Sequence, residues 1–165
     1  MNMYRVTVIT LSDKGAHGER EDVSGQVIED MVKEAGYEVV SRQLLSDDRR
    51  GLTDALISLC DSNTAELILT TGGTGFSSRD NAPEATLAAC ERMAPGIAEA
   101  MRMASLQITP RAMLSRAVSG IRKKTLIVNL PGSPKAVKEN LSFILPTLEH
   151  GIAILVGDDG ECARP

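Results

Sequence analysis

Leu67, Ile68 and Leu69 form a run with no polar face, and Thr70-Thr71-Gly72-Gly73-Thr74-Gly75 follows it at once. A strand without a polar face must be covered on both sides. That condition suits the central strands of parallel sheets between helices and argues against a one-sided antiparallel sheet. The chain upstream agrees. Tyr4, Val6, Val8, Ile9 and Leu11 make residues 3–11 a near-continuous apolar strand. Val27, Ile28, Met31, Val32 and Ala35 then recur with helical spacing, and Gly36 stands where a helix stops. Residues 39–45 read as a second strand. Leu52, Ala55, Leu56, Leu59 and Cys60 follow the pattern of a helix with one buried face. The order β-α-β-α-β predicts a layered α/β fold with a parallel sheet.

Downstream, Pro83 suits a first helical position, and Ala85, Leu87, Ala88 and Cys90 continue that helix until Pro95-Gly96 breaks it. Ile97, Ala100, Met101 and Ala104 begin another helix. Residues 117–121 and 125–130 read as a hairpin joined by Arg122-Lys123-Lys124, which makes the sheet mixed. Ser133-Pro134 opens a helix, with an N-cap serine before proline. Its buried face is Val137, Leu141, Ile144 and Leu145, and Pro146 should bend or restart the chain before a last helix through Leu155. The expected organisation is one domain over residues 1–156 and a frayed tail over 157–165.

The formal charge of −4 gives no basic field for nucleic acid. Tyr4, Tyr37, Phe76 and Phe143 are scattered and Trp is absent, so a base-stacking platform is not expected. Cys60, Cys90 and Cys162 form no CxxC pair, which argues against a disulfide scaffold or a cysteine metal site. His17 and His150 lie in no catalytic or metal-binding pattern. No apolar run reaches the roughly 20 residues of a membrane helix. The apolar start lacks a small-residue cleavage site and reads as a strand. A cytoplasmic protein, without membrane or nucleic-acid partners, is the expectation.

In a parallel α/β sheet, the loops at the carboxyl ends of the strands share one edge, where ligands bind. Those loops carry Ser12 and Asp13, Asp47 and Asp48, the 71–75 turn with Asp80, and residues 129–135. Three glycines at 72, 73 and 75 exceed the needs of a plain turn, and let backbone N–H groups approach an anion closely. Thr71 and Thr74 add hydroxyls. The turn fits neither the GxGxxG nor the GxxxxGK fingerprint. A second candidate anion site is Asn129-Leu130-Pro131-Gly132-Ser133-Pro134-Lys135, where Lys135 sits against the helix dipole unless an anion neutralises it. Asp47 and Asp80 flank these cradles and could hold Mg²⁺ beside phosphates. Asp47 could equally cap a helix, and Asp80 could pair with Arg79. Arg122-Lys123-Lys124 reads as a solvated hairpin tip.

Thr70-Thr71-Gly72-Gly73-Thr74-Gly75, Arg79-Asp80 and Pro83-Glu84-Ala85-Thr86 resemble the TTGGTG…RDxTPEAT signature of the molybdopterin-binding family of MogA and MoaB type. Leu114-Ser115-Arg116-Ala117 and the 129–135 segment match its later LSR and NLPGxPK motifs in order. The resemblance covers roughly residues 4–155. It implies a three-layer αβα fold with a mostly parallel, mixed central sheet, assembled as a homotrimer, with a hexamer second. Helix faces such as Ile97/Met101 or Leu148/Ile152 are offered for that assembly.

The resemblance also implies molybdenum cofactor biosynthesis by molybdopterin adenylyltransferase, with ATP as co-substrate and Mg²⁺ as cofactor. The alternative is a molybdopterin-binding or scaffold protein without adenylyl transfer. Carried over by motif, Asp47 and Asp80 are the catalytic and metal-holding carboxylates. Thr71, Gly72, Gly73, Thr74, Gly75 and Ser115 are substrate-binding, and so are Asn129, Pro131, Gly132, Ser133 and Lys135. Ser12 and Asp13 join them, and Asp22-x-Ser24-Gly25 resembles a further pocket segment. Two departures stand out: Asn81-Ala82 replaces x-Thr, and Ser46 replaces a proline before Asp47, which leaves Asp48 as the alternative functional carboxylate.

Overall fold

The structure is a computed structural model that describes residues 3–158. The apolar runs become strands β1 (Arg5–Leu11), β2 (Glu38–Leu45) and β3 (Leu67–Thr71), followed by β4 (Arg92–Met93), β5 (Ser119–Arg122) and β6 (Thr125–Leu130). The helices are α1 (Asp13–Ala16), α2 (Val23–Glu34), α3 (Arg49–Asp61), α4 (Ala82–Ala89), α5 (Pro95–Leu106) and α6 (Pro134–Val156), with a 3-10 helix at Pro110–Leu114. The sheet order is β2-β1-β3-β6-β5-β4. The first four strands run parallel, whereas β5 is antiparallel to β6 and β4 to β5. The expected mixed, mostly parallel sheet is therefore present.

Strand alternation divides the core into two layers. Val6 and Val8 of β1 join Leu67 and Leu69 of β3 beneath α2, α5 and α6, where Ile28, Met101, Leu141 and Ile152 pack. Ile9, Leu11, Ile68 and Ile127 face the other way, onto Leu52, Leu56 and Cys60 of α3 and the alanines of α4. Burying a Val, Leu or Ile fully is worth about 1.5–3 kcal/mol. Both faces of β3 are thus covered, as its sequence requires.

Several boundaries differ from the sequence reading. Strand β2 alternates exposed and half-buried residues because it lies on the sheet edge. Pro146 does not restart the last helix: α6 is continuous through it to Val156. The missing N–H of a helical proline costs one hydrogen bond, and the buried row Leu141, Ile144, Leu145, Leu148 and Ile152 on both sides of it holds the helix. The loop after β1 contains the one-turn α1, capped by Ser12, whose Oγ accepts from Gly15 N. Helix α4 ends at Ala89, before Cys90, and the short β4 follows it. The self-association faces expected at Met101 and at Leu148/Ile152 are buried within the chain's own core. Most of the expected tail, from residue 159, and Cys162 lie outside the described residues.

Candidate active site

The chain moves from β1 to β2 on one side and then to β3 on the other. The carboxyl ends of β1 and β3 therefore diverge into loops that leave in opposite directions, and a crevice opens between them. A cavity of about 630 Å³ lies there, lined by Thr10, Leu11 and Ser12 from β1, Thr71 and Gly72 from β3, Asp22 and Ser24 from the start of α2, and Gly132 to Pro134.

The glycine turn has local reasons for its composition. Gly72 has φ +91°, and a Cβ on it would lie 2.5 Å from the carbonyl oxygen of Leu11. Gly73 has φ +69°. Gly75 has no positive φ, but its Cβ would stand 2.8 Å from Oδ2 of Asp80. The Thr71 hydroxyl donates to the Pro131 carbonyl at 2.6 Å, and the Ser24 hydroxyl donates to the Gly132 carbonyl at 2.7 Å. These two bonds fasten the 129–135 segment to the crevice. The turn also has a second side. Thr74, Gly75, Ser115 and Pro131 line another cavity of about 300 Å³, walled by Met101 and Arg102 of α5, Arg111 and Asn140. The 71–75 turn is thus a partition between two cavities, a fitting arrangement for two substrates meeting across phosphate groups.

Carboxylates gather beside the partition. Asp13 and Asp47 form a reciprocal clasp: Asp13 N donates to Asp47 Oδ2 at 3.0 Å, and Asp47 N donates to Asp13 Oδ1 at 2.9 Å. Arg79 then grips Asp13 with Nε and Nη2, each at 2.9 Å. That grip and the Asp47 amide hold the Asp13 carboxyl down at about 2. Burial pushes the Asp47 carboxyl above its ordinary range, and the charges of Asp13 and Asp80 push the same way. Asp80 Oδ2 accepts from Ser77 N at 2.9 Å. Oδ1 of both Asp47 and Asp80 takes no hydrogen bond from the described residues. Two carboxylates beside the glycine turn, one of them half-buried, are the hard oxygen donors Mg²⁺ takes in ones or twos, and among the described residues no group of three or more His, Cys, Asp or Glu is placed to hold a metal by itself.

Residues 7–150 match a family model described as "Probable molybdopterin binding domain". The chain belongs to the molybdopterin-binding family. Its relatives include the molybdopterin adenylyltransferase of Helicobacter pylori strain J99, 38% identical over 96% of this chain and 91% of that protein. The protein of the same name from Escherichia coli K12 is 41% identical over 87% of this chain and 75% of that one. Among solved structures, the molybdopterin biosynthesis enzyme MoaB of Thermus thermophilus superposes with a TM-score of 0.87 at 44% identity, covering 94% of this chain and 98% of that one.

Within this family fold, not every residue expected at the site reaches a cavity. Asn129 is fully buried. Its Nδ2 donates to Thr70 Oγ1 and Thr86 Oγ1, both at 2.9 Å, and its Oδ1 accepts from Val118 N. Every polar atom of the amide is used inside the sheet, so Asn129 builds the site's floor and does not line it. Lys135 lines neither cavity: its side chain is 84% exposed and lies 3.9 Å from Glu139, one helical turn on. Ser133 lines the larger cavity while its Oγ caps α6 by accepting from Ala136 N. Asp48 caps α3 by accepting from Gly51 N at 2.7 Å, so the capping role falls to Asp48 and leaves Asp47 for the clasp. Arg79 pairs with Asp13, 66 residues away, and not with its neighbour Asp80.

Arg116, within Leu114-Ser115-Arg116-Ala117, has no role that motif or spacing assigns. Its side chain makes two contacts with the segment that carries Asp80 and a third with Glu84 of α4. A half-buried arginine of this kind is invisible to periodicity, because its partners are carbonyls of a distant loop.

Proposed function

We propose that this protein is a molybdopterin adenylyltransferase of molybdenum cofactor biosynthesis. The observation that carries the reading is the glycine partition between two cavities with the Asp47 and Asp80 carboxylates beside it. The names of the relatives at 38–41% identity supply the reaction class. The terminal phosphate oxygen of molybdopterin attacks the α-phosphorus of ATP. A P–O bond forms there, and the bond from the α-phosphorus to the bridging oxygen breaks. Pyrophosphate leaves with that electron pair.

The work of the chain is positioning and charge control. Backbone groups of the 71–75 turn, freed of side chains at Gly72 and Gly73, approach phosphate oxygens from both cavities. Asp47 and Asp80 would hold Mg²⁺, and a cation bound there would neutralise phosphate charge. The Asp13–Asp47 clasp fixes one of those carboxylates, and the 75–80 loop presents the other. Burial of Asp47 makes a cation there favourable.

The assembly accompanying this reading is a homotrimer in the cytoplasm. Exposed Met103 and Leu106 of α5, with Met113 and Leu114 beside them, supply apolar surface for contact between copies. No helix of the described residues is long and apolar enough to cross a membrane. Purified protein incubated with molybdopterin, ATP and Mg²⁺ should release pyrophosphate and form adenylyl-molybdopterin. Binding of molybdopterin without pyrophosphate release would identify a carrier or scaffold instead. Light scattering that found a monomer at micromolar concentration would refute the trimer.

A further inference from the structure

The loop that carries Asp80 has few bonds of its own. Between Gly75 and Asp80 it makes one backbone hydrogen bond, from Asp80 N to Ser77 O at 2.9 Å. Two side-chain contacts add to it, from Ser77 N to Asp80 Oδ2 and from Arg79 N to Ser77 Oγ. The residues from Phe76 to Arg79 are exposed. So short and solvated a segment would ordinarily sample many conformations. Catalysis through a carboxylate on it needs one.

One restraint from outside the loop is the Arg79–Asp13 pair, and the other, at the loop's two ends, is Arg116. Its Nε donates to the Gly75 carbonyl at 2.7 Å and its Nη2 to the Asp80 carbonyl at 2.7 Å, the first and last residues of the segment. Its Nη1 pairs with Glu84 Oε1, and its own backbone N–H donates to the Thr74 carbonyl at 2.9 Å. The guanidinium is planar, so three donors fixed in one plane set the distance between the two loop ends. The pair with Glu84, whose carboxyl Arg116 holds below its ordinary range, cancels the charge. What remains is geometric. Arg116 lines neither cavity.

We propose that Arg116 is the positioning residue for Asp80: it clamps the 75–80 loop at both ends and thereby fixes the carboxylate against the glycine partition. The proposal rests on the adenylyltransferase reading for its catalytic part, and on the loop geometry alone for its structural part.

The test uses Arg116→Lys and Arg116→Ala in the full chain, each checked for an intact fold by thermal melting. Lysine keeps the charge but cannot span both carbonyls. Turnover should fall by about 100-fold, the scale of an ångström-sized misplacement of a reacting group. The molybdopterin Kd should stay within about threefold, since no cavity wall is lost. Free guanidinium should restore part of the turnover of Arg116→Ala. In the double variant with Asp80→Asn, the Arg116 change should add no further loss, because it acts through a carboxylate already removed. Hydrogen exchange at the Ser77 and Asp80 amides should accelerate while the rest of the sheet stays protected. Near-normal turnover with unchanged exchange would overturn the proposal, and so would losses that multiply in the double variant. If the unaltered protein transfers no adenylyl group, the functional reading fails by itself. The exchange measurement still decides the clamp: lost protection supports it and unchanged protection overturns it.

Discussion

Two carboxylates stand beside the glycine turn, outside the linings of both cavities, and the protein holds them by opposite means. Asp47 stands at the end of the β2 edge strand in a reciprocal clasp, backbone amide to carboxylate in both directions, with Asp13 of the β1 loop. Asp80 stands on an exposed loop whose shape is imposed by Arg116. The first arrangement is local to two adjacent parallel strands, so it follows once the sheet forms. The second depends on a side chain 36 residues away, delivered by the 3-10 helix after α5. The sheet thus holds one carboxylate through its strands, whereas the other is held through arginine side chains and is exposed to single-residue damage.

The largest test of that contrast is the pair Asp80→Asn and Asp47→Asn. Each keeps size and removes charge. Turnover should drop by at least ~100-fold in Asp80→Asn, the scale for losing one electrostatic catalytic group, and by a similar order in Asp47→Asn. The two should part on stability. Asp47 is ionised against burial and two neighbouring negative charges, so removing its charge should leave the thermal midpoint unchanged or raise it. Asp80→Asn should leave it unchanged. Adenylyl transfer, molybdopterin affinity and melting on the same two proteins check this. Near-normal turnover for either would take that residue out of the catalytic set.

Next in size are two glycines of one turn. Gly72→Ala places a Cβ at φ +91° and 2.5 Å from the backbone oxygen of Leu11, which cannot swing away. The cost should be about 1–3 kcal/mol, or a melting point lower by roughly 2–4 °C for each kcal/mol in a chain of this size. Gly75→Ala has an ordinary φ and meets only the carboxylate end of Asp80, at 2.8 Å. Its stability should change by less than about 0.5 kcal/mol, yet turnover should fall because Asp80 is displaced. Equal melting losses in both variants would show that the turn is one rigid unit, and that Gly75 belongs to the same frame as Gly72.

The sequence made the parallel half of the molecule legible for a physical reason. Leu67-Ile68-Leu69 has no polar face, so covering it on both sides leaves little choice of architecture. The carboxyl-edge loops then fall on one side whatever their details, which is why Ser12, Thr71, Gly72 and Gly132 meet at one cavity and Asp13 and Asp47 clasp each other next to Ser12. What periodicity could not show was which polar groups are spent on the frame. Asn129 looks like a ligand-facing amide in its motif, but β6 is central, and a central strand buries what it carries. Lys135 reads as an anion partner from the helix dipole, and Glu139 one turn away is a second partner that the dipole does not reveal. Pro146 looked like a break because its missing hydrogen bond was weighed without the apolar row that holds α6 on both sides. The pairings of Arg79 and Arg116 join loops far apart in the chain, and no local pattern encodes them.

The smallest expected effect reads the clasp itself. Asp13 and Asp47 touch, yet their carboxyls are pushed in opposite directions. The Arg79 guanidinium and the Asp47 amide hold Asp13 at about 2, whereas burial raises Asp47 above the usual range. A group depressed in the folded state stabilises the fold above its unfolded value, about 3.9, and loses that contribution as pH falls toward the folded value. A raised carboxyl acts the other way: its ionised form carries a cost at neutral pH, relieved when it protonates. As pH falls, Asp47 should therefore take up its proton first and Asp13 last. Between those two steps the clasp holds one charge and the Arg79 pair survives. Replacing Arg79 by alanine removes the largest cause acting on Asp13 and should move its titration up toward the ordinary range. The effect on stability at neutral pH should be slight, since water and salt screen an exposed pair. Carboxyl-carbon NMR titrations of the unaltered protein and of Arg79→Ala measure both shifts. If Asp13 protonated before Asp47 in the unaltered protein, the rigid member of the pair would be Asp47 without its arginine-backed partner. The contrast between a strand-held and a loop-held carboxylate would then have to be drawn from the strands alone.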